Sequence, residues 1–378
     1  MFDKRFRDRV TQQKQEGLHR NPPVIEKREG RFVTINGRRV LSFASNDYLG
    51  LGASTALAAR VGKHFNASGA ASASSSRLVA GNYDTICQAE KIFADYFGYD
   101  DALFFSSGYQ ANLALLSTLF ENGDALIFDK HVHASSVKGM ALSNATLKGY
   151  RHNCLAHLEK RLKPAPLGKR AVVTESLFSM DGDILPVEAL GRLKEKYGFY
   201  GVVDEAHGFG VLGDKGRGIA KGVADVALGT FGKALGLFGA FVLLPHGVKE
   251  YLMNFASPFI YTTALPPAHA LAAVDALELV EQGEDARKTL NHVSIAMHDT
   301  LTRQGFQVFG DAHILSILMG DEERAVRVSQ ALLSRGIFTL PARYPTVPLG
   351  KAILRLGMTA LHRESDIHTL VNALKEVV

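Results

Sequence analysis

The sequence predicts an α/β fold whose large domain is built on a mostly parallel sheet flanked by helices, with a smaller α+β domain towards the C-terminus. Short apolar runs typical of buried strands recur through the middle of the chain, at residues 103–105, 125–128, 171–174, 201–203, 226–228 and 240–244. Helix-like stretches separate most of these runs, and residues 187–197 place Leu190 and Leu193 on one apolar face. Strands that alternate with such helices favour a parallel sheet covered on both faces.

A change of pattern after residue 265 predicts the second domain. Residues 266–305 have the pattern of long helices. Strand-like segments follow at 306–309, 314–319 and 353–356, with helical segments at 322–333 and around Ile367, Leu370 and Leu374. A chain of 378 residues exceeds the usual size of one domain. We therefore expect an N-terminal segment over residues 1–42, a large domain over 43–265, and an interdomain helix with a small domain over 266–378.

Composition and charge exclude several classes of partner. The net charge of +5 is spread along the chain without dense basic blocks, so we expect no nucleic-acid partner. A mild positive balance favours anionic substrates such as a coenzyme A thioester or an acidic carrier protein. Residues 1–20 lack the apolar stretch of a secretion signal, and the most apolar later stretch, 236–245, is about half as long as a membrane span. Cys87 and Cys154 fit no metal spacing, so we expect reduced thiols, a cytoplasmic location and no membrane association.

Polar residues directly after the predicted strands are the candidates for a binding site, because ligands lie beyond the carboxyl ends of strands in open parallel sheets. The first candidate is the turn at residues 106–110, which contains Gly108 and Tyr109 and leads into a predicted helix. Small residues at such a position let backbone N–H groups and the helix N-terminus bind a phosphate. A strand-to-helix turn also favours Ser and Gly for structural reasons, so this turn alone leaves both interpretations open.

A carboxylate at the end of a predicted buried strand marks the second candidate. Asp204 follows the apolar residues 201–203, and His207 comes three residues later. A charge in this position needs a partner. The protonated nitrogen of a pyridine ring would supply one and complete the electron sink that carbanion chemistry requires, with His207 near the phenolic oxygen of that cofactor. The alternative is a capped strand end followed by a solvated histidine.

A lysine between glycines marks the third candidate. Lys233 lies in the sequence Thr-Phe-Gly-Lys-Ala-Leu-Gly, just after residues 226–228, where partial burial favours a neutral amine. Such an amine serves both as a Schiff-base nucleophile and as a base for proton transfer. Thr230 would add a hydroxyl group to the phosphate site. The fourth candidate, His131 and His133, offers an imidazole that stacks on a flat ring.

Two other classes of protein share parts of this pattern. Residues 204–207 spell the acidic box of a helicase, but the sequence contains no G-x-x-x-x-G-K-[ST] phosphate loop, which excludes that class. A metal-dependent hydrolase would hold an ion among His131, His133, Asp204 and His207. This second alternative leaves Lys233 without a role.

Taken together, these motifs resemble one family over nearly the whole chain. The stretches that carry the resemblance are residues 45–51, 107–109, 133–135, Glu175 with 178–182, 204–208 and 230–233. On these residues the sequence is similar to the α-oxoamine synthases of the fold-type I pyridoxal-phosphate enzymes. Residues 260–267 and 345–348, followed by Arg355, favour the branch that condenses L-alanine with a pimeloyl thioester.

The resemblance implies an aspartate-aminotransferase-like fold with a seven-stranded type of sheet and pyridoxal 5′-phosphate as the cofactor. It implies that Lys233 binds the cofactor and removes the Cα proton of alanine, while Asp204 stabilises the carbanion and His133 stacks on the ring. The other residues implied to contact the cofactor are Gly108, Tyr109, Ser179, His207, Thr230, Thr262 and Thr263. Family members are homodimers with active sites at the interface, so Thr262 and Thr263 are expected to reach the phosphate in the neighbouring subunit.

The resemblance also implies a substrate site. Asn46 and Arg355 would hold the carboxylate of the amino acid, Thr346 would face the substrate entrance, and His133 would contact substrate as well as cofactor. The substrate-binding arginine of the relatives aligns near His19 and Arg20, and we assign it to Arg20. The acyl carrier would be either coenzyme A or an acyl carrier protein.

One departure from the family and two alternatives remain open. Relatives carry a glycine-rich turn where this chain has Ser-Ala-Ser-Ser-Ser-Arg at residues 72–77, and loss of glycine restricts positive φ, so we expect this loop to close differently. A glycine-using synthase, such as an aminobutyrate-forming ligase or an aminolevulinate synthase, differs by one methyl group in the donor. A non-catalytic cofactor-binding protein would bind the cofactor without responding to amino acids.

Overall fold

The computed structural model describes residues 2–164 and 169–378, and the chain forms two compact units. The sheet unit comprises Ser54–Phe178 and Ile184–Glu284. The terminal unit comprises Met1–Ala53, Ser179–Asp183 and Asp285–Val378. The N-terminal segment thus groups with the C-terminal residues, whereas the sequence predicts a large domain that starts at residue 43 and ends at residue 265.

In the described residues the helices are α1 (Phe2–Gln15), α2 (Thr55–Ser68), α3 (Asp84–Phe97), α4 (Gly108–Thr118), α5 (Ala134–Leu142), α6 (Leu155–Leu162), α7 (Val187–Tyr197), α8 (Val248–Phe255), α9 (Ser257–Ile260), α10 (Pro267–Glu281), α11 (Glu284–Arg303), α12 (Glu322–Ser334) and α13 (Glu364–Val377). The strands are β1 (Lys27–Glu29), β2 (Phe32–Ile35), β3 (Arg38–Ser42), β4 (Asp101–Phe105), β5 (Ala125–Asp129), β6 (Thr146–Tyr150), β7 (Arg170–Glu175), β8 (Tyr200–Asp204), β9 (Val226–Thr230), β10 (Ala240–Leu244), β11 (Val308–Phe309), β12 (Ile314–Gly320), β13 (Ile337–Phe338), β14 (Leu340–Ala342) and β15 (Ala352–Gly357). None of these helices combines the length and the apolar character needed to cross a membrane.

The sheet unit contains a seven-stranded sheet in the order β4-β10-β9-β8-β7-β5-β6. The pairings among β5, β6, β7, β8 and β9 are parallel, and β10 is antiparallel to both of its neighbours. All six apolar runs predicted as strands lie in this sheet. The predicted fold class, a mostly parallel sheet flanked by helices, is confirmed.

The core of the sheet unit follows from the alternation of side chains along a strand. On one face the ring of Phe93 in α3 lies 5.1 Å from the ring of Phe104 and 4.9 Å from that of Phe241. On the other face a second buried cluster joins the strands to α4, and its members include Leu103, Phe105, Leu115, Val173, Val202 and Val242. Helices therefore cover both faces, which fixes the strands whose ends carry the candidate site.

One strand of this sheet has no counterpart among the predicted runs. β6 lies at the edge of the sheet, and its sequence Thr-Leu-Lys-Gly-Tyr is mostly exposed or half-buried. An edge strand has one neighbour and tolerates polar side chains, so the apolar signal used for the prediction is weak there.

Backbone pairing explains why the two ends of the chain share one unit. β13 adds to the N-terminal strands β1, β2 and β3, and it pairs with β3 in parallel, Ile337 opposite Leu41. A second sheet has the order β11-β12-β15-β14 and carries the predicted strand segments around residues 314–319 and 353–356. The terminal unit is therefore a mixed α+β structure.

Candidate active site

Lys233 and His207 contact each other at one end of the central strands of the sheet unit. The Nζ atom of Lys233 lies 2.7 Å from Nε2 of His207, and His207 is buried. Lys233 lies in the turn after β9, which ends at Thr230. The Thr230 hydroxyl donates a hydrogen bond of 2.9 Å to the Gly239 carbonyl and accepts one of 3.2 Å from the Gly232 N–H. Thr230 thus fixes the turn that carries the lysine.

Close packing below this turn requires a glycine at position 229. A Cβ atom there would overlap the rings of Phe241 and Phe209. The missing side chain lets both rings pack directly under the last residues of β9. The end of β9 is therefore held against the aromatic core, and the position of Lys233 with it.

Asp204 lies at the carboxyl end of β8 and accepts two hydrogen bonds. Its Oδ1 accepts from the Ala206 N–H at 2.9 Å, and its Oδ2 accepts from Nδ2 of Asn112 at 2.9 Å. The same Asn112 amide group donates to the Ser135 hydroxyl at 3.0 Å. Hydrogen bonds to a carboxylate stabilise its charged form. The two hydrogen bonds therefore fix the orientation of the Asp204 carboxylate at the strand end.

His133 precedes α5 and is held by its backbone and its ring. Its N–H donates to Oε1 of Glu175 at 2.6 Å, and Nδ1 lies 2.7 Å from the Ser135 hydroxyl. Desolvation lowers the pKa of His133, the charge of Lys233 acts in the same direction, and that of Asp204 opposes both. A lowered pKa keeps the imidazole neutral at neutral pH, which suits stacking on a flat ring.

Glu175, at the end of β7, has an unusual environment for a carboxyl group. It is 2% exposed, and burial together with the nearby charge of Asp204 raises its pKa well above the ordinary range. The sequence does not single it out as a site residue, although it lies in one of the stretches that carry the family resemblance. Its contact with the His133 backbone indicates a positioning role.

Asn112 was not predicted as a site residue. It lies in α4, four residues after Gly108, and 92 positions before the carboxylate that it contacts. Residues four apart lie on the same side of a helix, so Asn112 follows Gly108 along the side that faces the strand ends. A buried amide in the otherwise apolar segment Ala-Asn-Leu-Ala-Leu-Leu was the available signal.

The turn predicted to bind phosphate lies at the N-terminus of α4. The Ser107 hydroxyl accepts a hydrogen bond of 3.2 Å from the Gln110 N–H and so caps the helix. At Gly108 an added Cβ would meet its first neighbour, Leu228, only at 3.8 Å. Thr262 and Thr263 line a small cavity with residues of this turn, Ser106 and Gln110 among them. The first turn of α4 therefore offers N–H groups and open space for an anion.

The loop at residues 72–77, which has serines where relatives have glycines, is held by contacts with other parts of the sheet unit. Ser74 adopts a positive φ of 56°, a conformation that costs little for glycine and more for other residues. The Arg77 guanidinium pairs with the buried Glu90 at 2.6 Å, and the Ser75 carbonyl accepts the Ala264 N–H at 3.0 Å. Both contacts hold the loop in place despite the strain.

In the terminal unit, Arg355 joins two other predicted residues. Its Nε donates to the Ser179 carbonyl at 2.6 Å, and its Nη2 donates to Oδ1 of Asn46 at 3.0 Å. The hydroxyl of the buried Tyr48 lies 3.1 Å from the same Asn46 oxygen. Burial raises the pKa of Tyr48 to about 12, so it remains a neutral phenol. Arg355 is 2% exposed, and its hydrogen bonds to Ser179 and Asn46 fix the orientation of the guanidinium.

Arg20 and Thr346 also come together in the terminal unit. Nη2 of Arg20 lies 3.4 Å from the Thr346 hydroxyl oxygen. Of the two alignments left open by the sequence, this contact favours Arg20 over His19. No three of the four ligands of the metal-hydrolase alternative, His131, His133, Asp204 and His207, converge on one point in the part of the chain that the structure describes.

Comparison with known proteins places the chain in a family. Residues 38–374 match the family "Aminotransferase class I and II". The 8-amino-7-oxononanoate synthase of Citrifermentans bemidjiense is 37% identical, over 98% of this chain and 97% of that protein. The synthase of the same name from Acidithiobacillus ferrooxidans is 40% identical, over 94% and 92%. The chain belongs to the class I and II aminotransferases, in their 8-amino-7-oxononanoate synthase branch.

Solved structures of related enzymes share the fold of this chain. A serine palmitoyltransferase from S. paucimobilis, with a bound PLP–myriocin aldimine, superposes with a TM-score of 0.92 at 29% identity, covering 98% of this chain and 96% of that one. The 8-amino-7-oxononanoate synthase of Francisella tularensis has a TM-score of 0.77 at 33% identity, covering 89% and 98%. The aminotransferase-like fold is thus confirmed, and pyridoxal phosphate is the cofactor of the family.

The residues of the sheet unit fit pyridoxal phosphate. The cofactor needs an amine for its aldehyde, a carboxylate for its ring nitrogen, a flat partner for its ring and N–H donors for its phosphate. Lys233, Asp204, His133 and the first turn of α4 offer groups of these four kinds at the ends of β4, β5, β8 and β9. A pocket with only one or two of them would not distinguish this cofactor from another anion.

Proposed function

We propose that the protein catalyses the decarboxylative condensation of L-alanine with a pimeloyl thioester, which yields 8-amino-7-oxononanoate, CO2 and the free carrier in biotin biosynthesis. The observation that carries the proposal is the contact of Lys233 with His207 at the strand ends beside the hydrogen-bonded carboxylate of Asp204. Carbanion chemistry on this cofactor requires two groups from the protein, an amine that reacts with the cofactor and a carboxylate that pairs with its ring nitrogen. Lys233 and Asp204 would provide them.

Residues of the sheet unit would hold the cofactor. Asp204 would pair with the ring nitrogen, and Asn112 would keep its carboxylate in orientation. His133 would lie against the ring, and the first turn of α4 with Thr230 would bind the phosphate. When bound, pyridoxal phosphate withdraws the electrons left at the substrate carbon when a proton or CO2 departs.

Lys233 is the proposed base for proton transfer. Its Nζ would accept the Cα proton of alanine and later return a proton to the product carbon. His207, 2.7 Å away, would keep the amine in place between the two transfers. In this scheme His207 acts as a hydrogen-bonding partner of the amine, and His133 provides a neutral ring surface.

Arg355 and Asn46 are the proposed binding site for the carboxylate of the amino acid. The guanidinium is oriented by the Ser179 carbonyl through Nε and by Asn46 through Nη2. A fork held in this way binds a carboxylate with little loss of side-chain entropy. Arg20 and Thr346 are proposed to bind the acyl substrate.

Sequence identity to the 8-amino-7-oxononanoate synthases favours a pimeloyl thioester over a longer acyl chain. Similarity of fold does not distinguish the two substrates. The serine palmitoyltransferase superposes better than the Francisella synthase but is less similar in sequence, at 29% against 33%. One fold hosts several substrate specificities, so specificity is argued from the residues that line the site. We further propose a cytoplasmic homodimer in which Thr262 and Thr263 serve the phosphate site of the neighbouring subunit.

The test is product formation by purified, cofactor-loaded protein. Pimeloyl-CoA and the pimeloyl thioester of an acyl carrier protein would each be supplied with L-alanine, and 8-amino-7-oxononanoate would be detected by mass spectrometry. The expected result is product from at least one thioester, with one CO2 released per product. Binding of the cofactor with no product and no spectral response to any amino acid would contradict the proposal and favour a non-catalytic protein.

A further inference from the structure

The N-terminal helix α1 presents an amphipathic surface that the rest of the chain leaves open. None of the residues Phe2–Gln15 is buried. Phe2, Phe6 and Val10 follow one another at intervals of four and form an apolar stripe, with exposed fractions of 67%, 54% and 48%. An apolar stripe of this length on a helix is normally covered by another surface.

The rest of α1 is strongly basic. It carries five basic side chains, Lys4, Arg5, Arg7, Arg9 and Lys14, against the two acidic side chains of Asp3 and Asp8. Lys4 pairs with Asp8 at 2.8 Å, and the Arg5 guanidinium lies over the rings of Phe2 and Phe6, 5.1 and 5.3 Å from their centroids. The apolar stripe is thus bordered by positive charge.

Two cavities of the terminal unit meet at the residues that follow α1. A groove of about 390 Å³ is lined by Arg9, Val10 and Gln13 of the helix. A larger cavity of about 810 Å³ lies beyond it, and both are lined by Leu18, His19, Arg20 and Tyr344. No Asp or Glu is among the described residues that line either cavity. The two spaces form a cationic and partly apolar environment next to the helix.

Arg343 fixes the segment between the two cavities. Its Nη1 donates to the Gly17 carbonyl, and its Nη2 donates to the His19 carbonyl at 3.2 Å. The proposed substrate residue Arg20 is thereby held beside Thr346. Two guanidinium groups, those of Arg20 and Arg343, line the larger cavity, which therefore suits an anionic ligand with an apolar chain.

Resting on the proposed function, we propose that α1 is the docking surface for an acidic acyl carrier protein, which delivers the pimeloyl thioester towards Arg20. Charge complementarity selects this occupant. The helix carries three more basic than acidic side chains, so the same helix of a second copy would be repelled, whereas an acidic carrier would be attracted. The apolar stripe would supply the buried part of the contact.

The test compares two thioesters on the full-length, cofactor-loaded enzyme. The variant Arg5→Glu/Arg7→Glu reverses two charges on α1, and Arg327→Glu/Lys375→Glu makes the same change at exposed positions of α12 and α13. In the α1 variant we expect the Kd of the holo carrier protein, measured by calorimetry, and the KM of its pimeloyl thioester to rise about ten-fold. We expect the KM of pimeloyl-CoA to change by less than about two-fold in the α1 variant. In the matched control we expect the KM of both thioesters to stay unchanged.

Three results would overturn the docking proposal. They are an unchanged Kd for the carrier protein, an equal rise in KM for both thioesters, and a fall in molecular mass of the α1 variant by light scattering, which would assign the helix to a contact with a second copy. Failure of the proposed function would look different. The unmodified enzyme would then turn over neither thioester, while the calorimetric comparison would still decide whether α1 binds an acidic carrier.

Discussion

The amine of Lys233 lies 2.7 Å from Nε2 of His207, which is 26 positions earlier in the chain. The contact joins the turn after β9 to the segment after β8, which is adjacent to β9 in the sheet. Which of the two nitrogens donates depends on the tautomer of His207 and on the protonation of the amine. The arrangement keeps the reactive nitrogen at a defined point beside Asp204 and His133.

Replacing Lys233 by Ala is expected to abolish turnover and the visible absorption of lysine-bound cofactor. Loss of a positioned base and nucleophile costs at least about a thousand-fold in kcat. The matched control is Lys221→Ala, at an exposed lysine of the same unit, which should retain both signals. If the Lys233→Ala variant kept more than a tenth of the original kcat, Lys233 would not be the base or the nucleophile of the reaction.

Replacing Asn112 by Ala tests whether the orientation of Asp204 matters. The change removes one hydrogen bond to a carboxylate, worth about 1.5–3 kcal/mol, so kcat should fall about ten- to hundred-fold. Asn112→Asp should lower kcat further, because it places a second negative charge beside Asp204. Ser117→Ala, at another polar position of α4, is the control. If only thermal stability changed, with kcat intact, Asn112 would be a packing residue.

Replacing Arg355 by Lys should raise the KM of L-alanine about ten- to hundred-fold. Lysine cannot reach both the Ser179 carbonyl and Asn46 while also offering two parallel donors to a carboxylate. The KM of the acyl thioester should stay within about two-fold. Steady-state kinetics with each substrate varied in turn measures the difference. Equal effects on both substrates would argue against a specific site for the amino acid carboxylate.

The choice of amino acid tests the branch of the family. The extra methyl group of alanine in an apolar pocket is worth a preference of about 10- to 200-fold over glycine in kcat/KM. Competition between L-alanine and glycine at equal concentration, with products separated by mass, measures this ratio directly. Faster turnover of glycine would assign the protein to a glycine-using synthase instead.

His362 is expected to make the terminal unit less stable at acidic pH. Burial lowers its pKa to about 4, although it donates from Nε2 to the Ser42 carbonyl and accepts the Thr359 N–H at Nδ1. The unfolded chain therefore binds a proton at a pH where the folded chain does not, and stability falls as the pH drops from about 6.5 to 4. The loss attributable to this residue is about 3 kcal/mol.

Chemical denaturation at pH 7 and pH 4.5 measures that loss. The His362→Gln variant should be less stable than the unmodified protein at pH 7 and should lose less stability on acidification. His368→Gln, at an exposed histidine of α13, should behave like the unmodified protein at both pH values. An identical pH dependence in the His362 variant would show that other groups control acid unfolding.

Prediction from the sequence succeeded where a signal was local. The apolar runs that became β4, β5, β7, β8, β9 and β10 are buried on both faces, so their hydrophobicity is continuous and easy to detect. Asp204 and Lys233 were selected as candidates because Asp204 directly follows such a run and Lys233 comes five residues after the end of another. β6 was missed because an edge strand needs no such run, and Asn112 because its partner lies 92 positions away.

The amino-acid sequence by itself determined the class of fold, the family, the cofactor and the candidate residues at the strand ends. Each of these can be inferred from a short stretch of sequence without knowledge of its contacts in the folded chain. Only the tertiary structure decided that Asn112 orients Asp204, that Arg355 is held by Asn46 and Ser179, and that β13 joins the N-terminal strands. These are contacts between distant positions. Their energy comes from groups that the folded backbone brings within hydrogen-bonding distance, and no pattern along the chain encodes that distance.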